Sequence, residues 1–169
     1  MIVLVVDGYN MIGDWPELQA LKDHRLEEAR YRLVEMLAEY QAYTDHRVIV
    51  VFDAYSVRGL ERKKLNHKVE VIFTKENETA DECIERLIKQ LKNVKTKVYV
   101  ATSDFTEQRT VFSQGALRKS ARELLIDVKE IEKNINKDLH KQSNNRPKAK
   151  IPLSEDVLKQ FEKWRRGDK

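Results

Sequence analysis

The segment Ile2-Val3-Leu4-Val5-Val6 is apolar throughout, does not alternate with polar residues, and stops abruptly at Asp7-Gly8-Tyr9-Asn10. A short run of this kind, rich in β-branched side chains, predicts a strand buried on both faces. Such burial is found where helices cover both sides of a sheet, so the run directs the chain toward a parallel α/β architecture. Ligands of open α/β sheets bind just beyond the carboxyl ends of the strands. Asp7 falls there, where Gly8 is expected to let the backbone bend away. An Asp that merely opens a turn is the structural alternative.

The remainder of the chain continues the alternation. Pro16 opens a short helical turn, and Asp23 is placed to cap a long helix reaching about Tyr43, with Leu26, Ala29, Leu33, Leu37 and Tyr40 on one apolar stripe. Val48 to Phe52 predicts a second strand ending in Asp53, and a third strand is expected around Val69 to Phe73 after a basic loop. A helix from about Ala80 to Lys92, a strand from Lys97 to Ala101 and a short helix after Asp104 come next. A last short strand fits near Gly115 to Lys119, and Ser120 with Glu123 forms a capping box for a helix to about His140. The order predicts a mostly parallel central sheet flanked by helices over residues 1–141. Residues 142–169 read as a linker, Gln142 to Pro152, and a basic C-terminal helix capped by Ser154, with Val157, Leu158, Phe161 and Trp164 as its stripe.

Charge is unevenly distributed. Through Val128 there are 20 Lys and Arg against 21 Asp and Glu, whereas from Lys129 onward there are 12 against 7. The basic end suits an anionic partner such as nucleic acid, with a solvated basic helix as the alternative. Cys83 is the only cysteine, which excludes an intramolecular disulfide, and its register with Ala80, Ile84, Leu87, Ile88 and Leu91 predicts a buried helix position. His24, His46, His67 and His140 form no zinc spacing. The apolar N-terminus is too short for a membrane span and lacks the basic start of a signal peptide, so a cytoplasmic location without membrane partners is expected.

The chemistry lies in where the acids fall. Asp7 and Asp53 end strands, Asp81 lies in the first turn of a helix, and Asp104 follows a strand directly, so all four are expected at one edge of the sheet. Gathered carboxylates repel one another unless a cation offsets them, and hard oxygen ligands suit Mg²⁺ or Mn²⁺. Such an ion can activate water and neutralise charge on a phosphate, which is what phosphodiester hydrolysis requires. Each acid also has a structural alternative. Thr79 and Glu82 form a capping box around Asp81, which could itself complement the helix dipole; Asp104 could be an N-cap with Glu107 three residues on; and Asp53 could start a turn. Asn10 adds a neutral amide suited to orienting a water or a phosphate, with local turn bonding as its alternative.

Val6-Asp7-Gly8-Tyr9-Asn10, Phe52-Asp53-Ala54-Tyr55, Glu78-Thr79-Ala80-Asp81 and Thr102-Ser103-Asp104 resemble the four signature segments of NYN-domain proteins, a branch of the PIN-like nucleases. More closely, the chain is similar to the bacterial YacP-type NYN endoribonucleases over about Met1 to Leu139, and its later extension looks like that subgroup. The resemblance implies a Rossmann-like PIN domain in which Asp7, Asp81 and Asp104 hold one or two Mg²⁺ or Mn²⁺ ions for cutting RNA. Asn10 and Asp53 match supporting positions, Asp53 as a further candidate ligand. It also implies mRNA as the substrate and an association with the ribosome.

For substrate contacts, Arg58, Arg62, Lys63, Lys64, His67 and Lys68 follow the second strand on the side where the acids gather, and are either phosphate contacts or a solvated loop. Tyr55 and Trp15 are candidates for stacking unpaired bases, with packing the favoured role for Trp15. Lys159, Lys163, Arg165 and Arg166 form a basic edge on the last helix that could dock on RNA, while its apolar face is expected to pack on the domain. Two functional readings follow. One is a metal-dependent endoribonuclease, with Asp7, Asn10, Asp81 and Asp104 at its centre. The other is an RNA-binding or ribosome-docking adaptor in which the acids are not catalytic. A sugar-phosphate enzyme is disfavoured by the lack of a glycine-rich phosphate loop.

Overall fold

The computed structural model describes residues 1–54, 68–145 and 154–167. Five strands, β1 (Ile2–Asp7), β2 (Arg47–Phe52), β3 (Glu70–Phe73), β4 (Lys97–Ala101) and β5 (Leu117–Lys119), form one sheet in the order β3-β2-β1-β4-β5. Every pairing is parallel. The helices among the described residues are α1 (Gly8–Asp14), α2 (Pro16–Lys22), α3 (Leu26–Thr44), α4 (Ala80–Leu91), α5 (Phe105–Ser113), α6 (Ala121–Asn145) and α7 (Glu155–Arg166). None of them is long and apolar enough to cross a membrane.

Alternate residues of the central strands feed two cores. Leu4, Val6, Val48, Val50 and Phe52 pack with Met11, Leu18, Leu33, Leu37 and Val128 from α1, α2, α3 and α6. Val3, Val5, Ile49, Val51, Val98 and Val100 pack with Cys83, Ile84, Ile88 and Val111 from α4 and α5. Burial on both faces is why β1 and β2 read as continuous apolar runs; emptying one such site by a Leu→Ala change costs about 2–5 kcal/mol. Because the chain steps from β1 to β2 and β3 on one side and to β4 and β5 on the other, the connections leaving the adjacent carboxyl ends of β1 and β4 run in opposite directions, a topological switch point.

Several local expectations are corrected. The residues after β1 do not form a turn: Asp7 keeps extended backbone angles and caps α1, which begins at Gly8. Gly8 is not among the described residues of positive φ. Its bareness serves contact instead, since a Cβ there would lie 2.2 Å from Phe52 Cε1. Asp23 ends α2 in helical geometry rather than capping α3, whose N-cap is Arg25. The box at Thr79 and Glu82 forms, and so does that at Ser120 and Glu123. Helix α6 continues to Asn145 because no breaker precedes Pro147.

The chain divides into two compact units, Met1–Ile135 and Asn136–Lys169. The second contains the end of α6 and all of α7. Ser154 makes no side-chain capping bond there. Leu158, Phe161 and Trp164 fall on one face of α7. Phe161 and Trp164 pack edge to face across one turn, with centroids 5.7 Å apart.

Candidate active site

Asp7 is the point at which the fold places a carboxylate in the interior. As the last residue of β1 it pairs with Val51, and it is only 4% exposed. As N-cap of α1 it accepts the Asn10 N–H at Oδ1 (3.3 Å) and the Asn10 side-chain amide at Oδ2 (2.7 Å). Asn10 Oδ1 in turn accepts from Ser103 Oγ, just past β4. The residues just past the ends of β1 and β4 are thus tied together through the side chain of Asn10.

Asp81 approaches from the first turn of α4, and Glu107 from the first turn of α5. Asp7, Asp81 and Glu107 each offer an oxygen such that all three lie within 4.8 Å of one another. By spacing alone, Glu107 fits the partner of an N-cap at Asp104. A capping box would return its carboxylate to the Asp104 N–H, but Thr102 Oγ1 takes that N–H at 3.1 Å. The Thr102 hydroxyl also donates to Glu107 Oε2 at 2.6 Å and holds the carboxyl inward. The spacing of Thr102, two residues before the cap and five before Glu107, was the available signal.

Asp104 and Asp53 are not part of this three-carboxylate group. Asp104 Oδ1 caps α5 by accepting from Thr106 N (2.8 Å) and Glu107 N (3.4 Å). Both acids nonetheless act on Asp81 through their charge. Asp53 follows β2 and is half-buried. Of the proposed RNA contacts, Lys68 is exposed; Tyr55, Arg58, Arg62, Lys63 and Lys64, with His67, lie outside the described residues. Trp15 is not available for stacking on bases, because it is 1% exposed and donates its indole N–H to Ala121 O at 2.9 Å.

The electrostatics follow from burial and crowding. Loss of water raises the Asp7 carboxyl to about 6, against the opposing bonds from Asn10, and the charge of Asp81 adds to the rise. Burial likewise pushes Glu107 up to about 8, with Asp7 and Asp81 as the charged neighbours. Asp81 is raised by desolvation and then by Asp104. Glu107 Oε1 is buried without a hydrogen-bond partner. A buried acceptor surrounded by acceptors calls for a cation, which without metal is a proton on Glu107. An all-oxygen, carboxylate-rich donor set of this kind fits a hard divalent ion and offers zinc neither nitrogen nor sulfur.

The chain matches the model of the YacP-like NYN domain over residues 4–166. It is 62% identical to YacP of Bacillus subtilis (strain 168) over 168 residues, 99% of each chain. Among solved structures it is similar to crystalline Rae1 (YacP) from Bacillus subtilis, with a TM-score of 0.81 and 62% identity over 99% of this chain and 96% of the other. The W164L mutant of that protein matches with a TM-score of 0.77 and 57% identity, over 98% and 96% of the two chains. The parallel sheet flanked by helices is accordingly a PIN-like, nuclease-type fold, and the chain belongs to the YacP-like NYN family.

Proposed function

We propose that this protein is a divalent-metal-dependent endoribonuclease acting on mRNA in the cytoplasm, in association with the ribosome. The observation that carries the reading is the convergence of Asp7, Asp81 and Glu107, from a strand and two helices distant in sequence, with ligand oxygens within 4.8 Å. Mg²⁺ or Mn²⁺ held by these residues, with Asp104 and Asp53 as outer carboxylates, would activate water and offset the charge that develops on the phosphate. mRNA and the ribosome come from the resemblance to YacP-type proteins. Residues 1–141 carry the nuclease in this reading, and 142–169 supply a linker and a basic docking helix.

The chain's own groups prepare the site. Asn10 fixes both oxygens of Asp7, and Ser103 fixes Asn10, so the Asp7 carboxylate presents its remaining lone pairs in one orientation. Thr102 does the same for Glu107. A cation held here would replace the proton on Glu107, so alkaline pH would favour loading of the site. In-line attack by water on the phosphorus would form one P–O bond as the bond to the leaving oxygen breaks, with a proton from the water passing to that oxygen, so one fragment would end in a phosphate and the other in a hydroxyl.

The test is incubation of the full chain with RNA and Mn²⁺, with and without chelator. Loss of cleavage in chelator and in Asp7→Asn or Asp81→Asn is expected. Cleavage that persists in those variants refutes the metal mechanism, and RNA that binds but is never cut, even on ribosomes, favours the adaptor.

A further inference from the structure

Beside the carboxylates lies a recess whose lining is mostly uncharged. Tyr9, Asn10, Gly13, Asp14 and Ser103 line a cavity of ≈ 360 Å³. Two of these residues also belong to the bonds that hold the site: Asn10 donates to Asp7, and Ser103 donates to Asn10. The cavity therefore abuts the place where a scissile phosphate would sit. Three clustered acids repel a polyanion, so an RNA strand needs cationic contacts close by.

Two cations from separate helices stand against residues of the cavity's lining, Tyr9 and Gly13. Arg30 of α3 donates from Nη1 to the Tyr9 hydroxyl at 3.2 Å, a neutral partner. Lys22, the last residue of α2, brings Nζ to 3.8 Å from where a Cβ on Gly13 would stand, and beyond the adjoining residues and the helix's own backbone nothing else comes within 4 Å of that point. Neither forms an ion pair with a carboxylate among the described residues. Arg32, one residue pair further along α3, shows the contrast, being tied to Glu17 at 2.7 Å and Glu35 at 3.1 Å. Asp14 contributes one negative charge to the cavity, which the two cations outnumber.

We infer that this cavity is a phosphate subsite for a single-stranded RNA backbone, with Lys22 and Arg30 contacting the phosphate beside the one held at the carboxylates. The inference rests on the reading of RNA as the substrate. The guanidinium and ammonium supply charge-assisted donors, and the second amide hydrogen of Asn10 supplies a neutral one. Tyr9 positions Arg30. Its ring packs against Phe52 with centroids 5.2 Å apart, which fixes the hydroxyl that receives the guanidinium. Gly13 keeps the wall open.

The experiment measures binding rather than cleavage. Full-length Asp81→Asn protein, which leaves the cavity intact, is titrated with fluorescein-labelled single-stranded RNA by anisotropy in chelator across a NaCl series. Lys22→Gln and Arg30→Gln are each expected to weaken binding about tenfold near 0.1 M salt and to lower the slope of log K against log salt by about 0.7. Arg30→Lys restores the slope, and Lys97→Gln, at the amino end of β4 and so at the opposite end of the strands, changes neither quantity. Thermal melts confirm that each variant is folded. Lys22→Gln and Arg30→Gln proteins that bind no worse than Lys97→Gln, with an unaltered slope, overturn the inference, as does RNA binding without salt dependence. If the unsubstituted chain fails to cut RNA, the nuclease reading falls, and this binding series still decides the subsite.

Discussion

Thr102 and Glu107 are joined by a 2.6 Å hydrogen bond that converts the first turn of α5 from a capping device into part of the acidic site. Asp104 still caps the helix, but the side chain three residues on faces inward to Asp7 and Asp81. Glu107→Gln keeps the bond from Thr102 and removes the charge. It is expected to lower kcat/KM for RNA cleavage by about 100-fold or more, equivalent to about 2.7 kcal/mol of transition-state stabilisation. Wild-type rates in Glu107→Gln would leave the residue with a packing role only.

The raised carboxyls make stability without metal depend on pH in a defined direction. Asp7 moves from 3.8 to about 6 and Glu107 from 4.5 to about 8. The folded chain therefore holds protons that the unfolded chain has released, so this contribution is fully present below about pH 4 and is lost as pH rises through 6 and then 8. Thermal melts in chelator are expected to show Tm falling between pH 5.5 and 8.5, with a shallower fall in Glu107→Gln. A Tm that rises over this range in the unsubstituted chain contradicts the assignment.

Metal should reverse that trend. Mn²⁺ at about 100 times its Kd adds about 2.7 kcal/mol to the folded state, which corresponds to roughly 5–10 °C in Tm for a chain of this size. The gain is expected to be larger at pH 8 than at pH 6, because the ion displaces fewer protons there. Asp81→Asn should lose most of it.

Gly8→Ala tests how the site is positioned. In an unconstrained helix this change would stabilise by up to about 1 kcal/mol. Here the added Cβ meets the Phe52 ring at 2.2 Å, and overpacking of that kind costs about 1–3 kcal/mol. Net destabilisation in urea unfolding is expected, relieved in the double variant with Phe52→Leu.

Ser103→Ala removes the bond that fixes Asn10 without touching a carboxylate. Loss of such a supporting contact typically costs 10- to 100-fold in metal affinity or activity. Mn²⁺ titration and cleavage rates together show whether the loss lies in binding or in turnover.

The strands and the convergence of Asp7 with Asp81 were legible because both depend on simple local signals. An unalternated apolar run implies two buried faces, and the strand order places its carboxyl end beside the start of α4 and the end of β4. Helix α1 was not legible, because Asp7-Gly8-Tyr9-Asn10 has the composition of a turn; only the ring of Phe52, from another strand, explains its glycine. Glu107 was hidden for a similar reason. A spacing of three from Asp104 fits a capping box, and the hydroxyl of Thr102 that redirects it acts through the folded turn. On α7 the apolar stripe was legible from its periodicity.

Calorimetric titration of Mn²⁺ into the full chain at pH 8, compared with Asp7→Asn, Asp81→Asn and Glu107→Gln, tests the shared carboxylate centre most directly. Saturable binding is predicted in the unsubstituted chain and a loss of at least tenfold in affinity in each of the three variants. Equal affinity in all four proteins, or no binding even with RNA present, would contradict it.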